Sequence, residues 1–405
     1  MKHFIKMGIA LPIFLLIASC KHKEDEPATP QPTRTVLVYV AADNSLSPFA
    51  NSDLKEMKEG FASVTNSGAH LLIYIDTGSS PRLIELQNKK GTVTEVSVKT
   101  YGENRNSVGV TETREVFADV FDNPDYKADS YGLIYWSHGD GWIPNPLPET
   151  RWVGQDQSTR PSSYMNISDL TAVLSTAPYF DFILFDACFM SSVEVAYAVR
   201  SYTDYYIASP TEIPGPGAMY DRLVPALFIT DDQNPDPERP WEEHVAKAYF
   251  TPYALIYDSN VDTTNDHWTG GVSICMIQTS RLESLANIIY TSLTGATADA
   301  ATLRATVFDY DQRTGTSHVG YYDLVDMMQQ ILPADNASRW YAMTYWATTG
   351  KNYSVFAGDG YGGLFSMEGS NGISCYIPSG ADTNADRAYQ QTEWYTAAGL
   401  SQIGW

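Results

Sequence analysis

Apolar residues fall in short unbroken runs separated by amphipathic stretches. RTVLVYVA from Arg34, HLLIYID from His70, SYGLIYW from Ser130 and FDFILFD from Phe180 are apolar almost throughout. A strand without polar alternation has both faces covered, which is the situation of parallel sheets. Between these runs, SDLKEMKEGF, TETREVFADVF, ISDLTAVLSTA and SSVEVAYAVR carry helical spacing, with Ser52 and Ser168 placed as N-caps. RLIELQ (82–87) and TVTEVSV (92–98) alternate and predict a small hairpin. Strands alternating with helices predict an α/β fold with a mostly parallel central sheet covered on both faces.

Beyond Ser209, PGPG (214–217) is a rigid loop, residues 240–254 a helix and GGVSICMIQTS (270–280) a strand, with another helix from about Arg281. Past residue 300 the pattern gives two helices and two further strands, one of them GISCYIP (372–378). No internal repeat occurs and no linker follows residue 33. The expected organisation is a core over 34–280 with a C-terminal subdomain, 281–405, packed on it.

The N-terminus is built differently. Lys2 and Lys6 precede an apolar run from Met7 to Ile17 that meets Ala18, Ser19 and Cys20. A basic start, a short apolar stretch and small residues read as a secretory signal, too short for a comfortable membrane span. Ile17-Ala18-Ser19-Cys20 resembles the bacterial lipobox, in which the cysteine is lipidated and becomes the mature N-terminus. Residues 1–19 are then signal peptide, and the proline-rich 20–33 a flexible tether. The expected location is the bacterial cell envelope, anchored by lipid on Cys20 to the outer membrane at its periplasmic or surface face.

Composition narrows the function. At 43% apolar and 13% aromatic residues, the 405-residue chain has material for a real core. A formal net charge of −22 argues against a nucleic-acid partner, which would need clustered Lys and Arg. No CxxC, HExxH or His/Cys cluster with zinc spacing occurs. With Cys20 lipidated, Cys188, Cys275 and Cys375 remain, an odd number in an oxidising compartment, so one thiol should be free for a reason. Cys275 and Cys375 lie inside apolar strands and read as buried thiols.

Ligands of open parallel sheets bind at the carboxyl ends of the strands. Two core strands end there in reactive residues, His138-Gly139 and Asp186-Ala187-Cys188. The helix expected after Cys188 would place partial positive charge near the sulfur and favour thiolate. Gly139 would let backbone N–H groups approach a developing oxyanion.

At these residues the sequence resembles the clostripain family of cysteine peptidases, which share the caspase-like three-layer α/β/α fold. The resemblance runs from Val36 to about Pro378 through VYVAADNSL, YWSHGDGW, FILFDACFMSSVEVAY, ASPTEIPGPG and GISCYIP. It implies a dyad in which Cys188 attacks the peptide carbonyl and His138 protonates the leaving amine, with N–H groups of Cys188 and Gly139 as the oxyanion hole. It also implies that Asp186 lines the pocket for the residue before the scissile bond and selects Arg or Lys. Glu212 adds a second acid there, although Ala218 and Met219 stand where an aromatic is often seen.

In such a family the proline-rich segment between the dyad residues carries a self-cleavage site, for which Arg151 and Arg160 are the basic residues available. No cofactor is required, and calcium is left open without being indicated. The segment Asp382 to Asp386 with Glu393 imitates an EF-hand loop, but Arg387 occupies its glycine position. The expected partners are peptide or protein substrates with Arg or Lys before the cut, met by a monomer. A scaffold kept only for binding, or a hydrolase of other amide bonds, are the competing readings. The intact motifs argue against the first and Asp186 against the second.

Overall fold

In the computed structural model the described residues are 33–143, 153–158, 161–229, 233–234, 239–258, 260–262, 267–313, 315, 318–332, 365–381 and 383–405. In its first half the chain runs β1 (Arg34–Ala41), α1 (Ser47–Phe61), β2 (Ala69–Asp76), β3 (Arg82–Lys89), β4 (Thr92–Thr100), α2 (Val110–Phe121), β5 (Ser130–Trp136), β6 (Val153–Asp156), β7 (Ser163–Met165) and α3 (Ile167–Leu174). It continues through β8 (Phe180–Asp186), α4 (Val193–Val199), β9 (Thr203–Ala208), α5 (Tyr220–Ala226), α6 (Glu243–Ile256), β10 (Cys275–Gln278) and α7 (Leu282–Ser292). The last elements are α8 (Ala300–Thr306), β11 (Tyr322–Asp323), α9 (Leu324–Ile331), β12 (Ser374–Cys375), α10 (Asn384–Tyr389) and α11 (Glu393–Ala397).

One sheet has the order β10-β9-β8-β5-β1-β2-β3-β4. Its five central strands, β9 to β2, are parallel, and the pairings β10–β9, β2–β3 and β3–β4 are antiparallel. Strand β1 explains the unbroken apolar runs. Leu37, Tyr39 and Ala41 point into one core layer, and Val36, Val38 and Val40 into the other. Each layer therefore needs its own apolar partner, and each fully buried side chain of this kind stabilises the fold by roughly 1.5–3 kcal/mol. One layer packs against residues of α1, α5 and α6, the other against residues of α2, α3, α4 and α7. This is the mostly parallel, two-sided α/β arrangement expected from the sequence.

Local boundaries differ from the expectations. Helix α1 begins at Ser47, with Pro48 in its first turn, so Ser52 lies inside the helix rather than capping it. A proline there loses no hydrogen bond and starts with helical φ, which moves the start upstream. Helix α3 is capped by Asn166 in a capping box with Asp169, not by Ser168. The strand expected over 270–280 is only β10, an edge strand paired antiparallel to β9. The C-terminal segment holds more short helices than the two expected. Residues of the expected EF-hand imitation form α10, and the Asp386 carboxylate accepts hydrogen bonds from Tyr376, Ser379 and Thr383.

Pro32–Trp405 form one compact unit. Trp394 and Trp405 belong to the same buried cluster as Leu37 and Leu133. Cys275 and Cys375 are free and buried, as expected.

Candidate active site

Strands β5 and β8 are neighbours, and their last residues, Trp136 and Asp186, are in register. The Ser137 N–H still donates to the Asp186 carbonyl at 3.4 Å before the chains part. Just beyond, a Cβ on Gly139 would sit 2.8 Å from the Ala187 Cβ and 2.8 Å from the Cys188 carbonyl oxygen. Only glycine lets the two turns approach this closely. The hairpin β6–β7 pins the first turn, since Gly154 N–H donates to the His138 carbonyl at 2.8 Å and Gly139 bridges Val153. His138 and Cys188 thereby line one pocket of about 150 Å³, with Trp136, Asp186, Glu212 and Ile213 among its walls.

The sulfur of Cys188 accepts the Ile213 N–H at 3.4 Å. Burial, and then the neighbouring Glu212, push the thiol well above its ordinary range, with the charge of Arg313 opposing. The expected aid from a helix terminus is absent. Helix α4 begins only at Val193, and its first turn is capped by the Ser192 hydroxyl, which accepts the Val195 N–H. Burial lowers His138 to about 4, which keeps the imidazole neutral at pH 7. Its Nε2 lies 2.8 Å from the hydroxyl of Ser45, on the loop between β1 and α1. Ser45 was hidden in the sequence as one polar residue in a polar loop. Its relation to His138 appears only when β1 and β5 lie side by side.

Asp186 is 2% exposed. Its Oδ2 accepts from the Ala218 N–H at 3.0 Å and the Tyr220 hydroxyl at 2.9 Å, and its Oδ1 from the Tyr249 hydroxyl at 2.7 Å. Burial raises this carboxyl, and the three donors oppose that shift. A Cβ on Gly217 would lie 2.7 Å from Oδ2, so glycine brings the backbone against the carboxylate. Glu212 is raised to about 9, first by burial, then with Arg313 opposing and Asp311 and Asp140 reinforcing.

Thiol, imidazole and two acids thus share one pocket at the carboxyl edge of the sheet. Among the described residues no group of His, Cys, Asp or Glu could hold a metal ion. Cys20, Arg151 and Arg160 lie outside the described residues.

A thiol and an imidazole on adjacent strand ends suit nucleophilic attack on a carbonyl coupled to proton transfer. The comparisons agree with that chemistry. The model of the clostripain family matches residues 38–403. Clostripain from Hathewaya histolytica is 22% identical over 434 residues, covering 91% of this chain and 80% of that protein. A secreted C11 cysteine protease from Bacteroides thetaiotaomicron, solved with an irreversible peptide inhibitor, is 42% identical with a TM-score of 0.80, covering 92% of this chain and 100% of that one. An inactive zymogen C11 protease from Parabacteroides distasonis is 29% identical with a TM-score of 0.73, covering 91% of this chain and 99% of that one. A thiol at the end of β8, a histidine at the end of β5 and a match along nearly the whole fold agree: the chain belongs to the clostripain family and is a cysteine endopeptidase.

Proposed function

We propose that this endopeptidase cuts after Arg or Lys with a Cys188/His138 dyad, is anchored by lipid on Cys20, and is activated by self-cleavage. The observation that carries the proposal is the shared pocket, in which His138 and Cys188 stand beside Asp186 and Glu212. In the proposed reaction the thiol proton passes to His138 as Cys188 attacks the scissile carbonyl. The oxyanion is held by the N–H groups of Gly139 and Cys188. His138 then gives the proton to the leaving amine, and water hydrolyses the thioester, returning the proton to the thiolate.

Asp186, with Glu212, pairs with the basic side chain before the scissile bond. Burial raises both acids, and an entering guanidinium or ammonium favours their ionised forms and pairs with them, whereas an acidic side chain is rejected. In the state described, burial keeps the thiol protonated and the imidazole neutral, which suits a latent enzyme. A relative solved as an inactive zymogen supports the same reading. Self-cleavage after Arg151, or after Arg160, would open the segment between the dyad residues. The chain acts as a monomer at the cell envelope without a required cofactor.

Purified protein lacking residues 1–20 should hydrolyse reporter peptides ending in Arg or Lys, and not those ending in Glu. Active enzyme should run as two fragments under denaturing conditions, whereas Cys188→Ala stays a single chain. Equal hydrolysis of basic and neutral reporters would refute the specificity. Full activity in an uncut chain would refute the activation step. Mass spectrometry of protein extracted from membranes, with a diacylglyceryl mass on Cys20 expected, tests the anchor; an unmodified Cys20 would refute it.

A further inference from the structure

The residue after Cys188 adopts an unusual backbone conformation. Phe189 is not a glycine, yet its φ is +57°, the left-handed region that bulky side chains avoid. Such a conformation persists only where the surroundings over-determine it. Its N–H donates to the Thr211 carbonyl at 2.9 Å. Its ring, 1% exposed, stacks on Tyr321 with centroids 4.7 Å apart and planes 15° apart. The Arg313 guanidinium lies over the same ring, 4.4 Å from its centroid.

Both of these partners also reach the loop that follows His138. Arg313 pairs with Asp140 at 3.0 Å, and the Tyr321 hydroxyl donates to the Asp140 carbonyl. Arg313 is fixed in turn by Asp311, at 2.7 Å through Nε, and Asp311 accepts the Val319 and Gly320 N–H groups at 2.8 and 3.2 Å. Gly141, at φ +75°, lets the backbone pass beside Tyr321, where a Cβ would come within 2.6 Å of the ring.

We propose that Arg313 and Tyr321 are positioning residues that clamp the Cys188–Phe189 turn to the His138–Asp140 loop. The clamp rests on the reading of Cys188 and His138 as the dyad. The flat guanidinium and the tyrosine ring hold Phe189 in its left-handed turn, which fixes where the sulfur points. The same two side chains hold Asp140, which fixes the loop carrying His138 and Gly139. Arg313 also sets the charge around the sulfur, where it opposes burial, Glu212 and Asp140, with Asp311 paired to it and His138 neutral on the facing loop. Arginine suits both tasks because its plane stacks and its fork pairs with a carboxylate.

The test uses self-processed enzyme, with active sites counted by a peptidyl electrophile so that rates are per competent Cys188. Arg313→Met should lower kcat at least tenfold with KM within twofold of wild type. Its Cys188 alkylation profile with iodoacetamide should move to higher pH, since a cation has gone and the acids remain. Arg313→Lys, which keeps the charge without the plane, should recover part of the loss. Tyr321→Phe keeps the stack and removes the hydroxyl that bonds Asp140. It serves if Arg313→Met fails to fold, and should lower kcat several-fold at unchanged KM. Wild-type kcat and alkylation profile in Arg313→Met, or wild-type kcat in Tyr321→Phe, would overturn the clamp. Should the wild-type enzyme turn over no reporter, the dyad reading fails instead, while the alkylation profiles of wild type and Arg313→Met still report on the clamp.

Discussion

The described cysteines stand in two kinds of surroundings, a pocket at the turn after β8 and the packed core at the start of β10 and in the two-residue β12. All three thiols among the described residues are pushed upward by burial, so none is marked as reactive by its acidity alone. Cys275 is fully covered within an edge strand, and the Cys375 sulfur lies 3.5 Å from the Met327 sulfur. Cys188 lies where the strand has ended and opens on a pocket shared with His138. What separates nucleophile from packing residue is what the sulfur faces, a pocket or the core. Core packing surrounds the sulfurs of Cys275 and Cys375 with side chains, whereas the carboxyl edge of the parallel strands leaves room for a substrate carbonyl.

The sharpest break in this contrast is expected from alanine substitutions. Cys188→Ala should lower reporter hydrolysis by about 10⁴-fold or more with little loss of stability. Cys275→Ala and Cys375→Ala should leave kcat unchanged, each costing about 1 kcal/mol for the sulfur-sized void. A urea melt beside the reporter assay separates the two behaviours. Loss of activity in the Cys275 or Cys375 variants with stability intact would erase the distinction.

Asp186, the last residue of β8, extends the pocket side of the comparison to specificity. Asp186→Asn keeps the shape but removes the charge held by Ala218, Tyr220 and Tyr249. Cleavage after Arg or Lys should fall relative to neutral reporters by roughly 2–5 kcal/mol in discrimination. An equal fall for both reporter types would mark Asp186 as structural.

His138 adds a pH dependence of stability. Its folded-state value, about 4, is below the ordinary 6.5, so unfolding takes up a proton between those values. The stabilisation is present above pH 6.5 and is lost as pH falls towards 4, at most about 3 kcal/mol in all. His138→Gln should flatten that part of the urea-midpoint profile relative to wild type. Parallel profiles would mean that His138 titrates normally in the folded protein.

Much of this was legible in the sequence, for a physical reason. The central strands read clearly because burial on both faces removes polar residues from the whole run, and the two reactive residues stood out by ending such runs. The helix starts at Ser47 and Ile167 were misplaced because several polar residues near each start suit a cap, and packing selects among them. The relation of Ser45 to His138 was hidden, as was that of Tyr321 to Asp140, 181 residues away. Such pairings depend on which loops the sheet order brings together, and no local periodicity records them. The smallest predicted effect belongs to this hidden class. Ser45→Ala should cost about 1 kcal/mol in kcat/KM by removing one hydrogen bond to the imidazole. No change in kcat/KM would remove Ser45 from the site.

The most direct measurement is covalent labelling of active wild-type enzyme with a peptidyl electrophile carrying Arg or Lys next to its reactive group, read by peptide mass spectrometry. One adduct per chain, on Cys188, is expected, lost in Cys188→Ala and suppressed in His138→Ala. An adduct on Cys275 or Cys375, or undiminished labelling of Cys188 without His138, would contradict the assignment of Cys188 and His138 as a working pair.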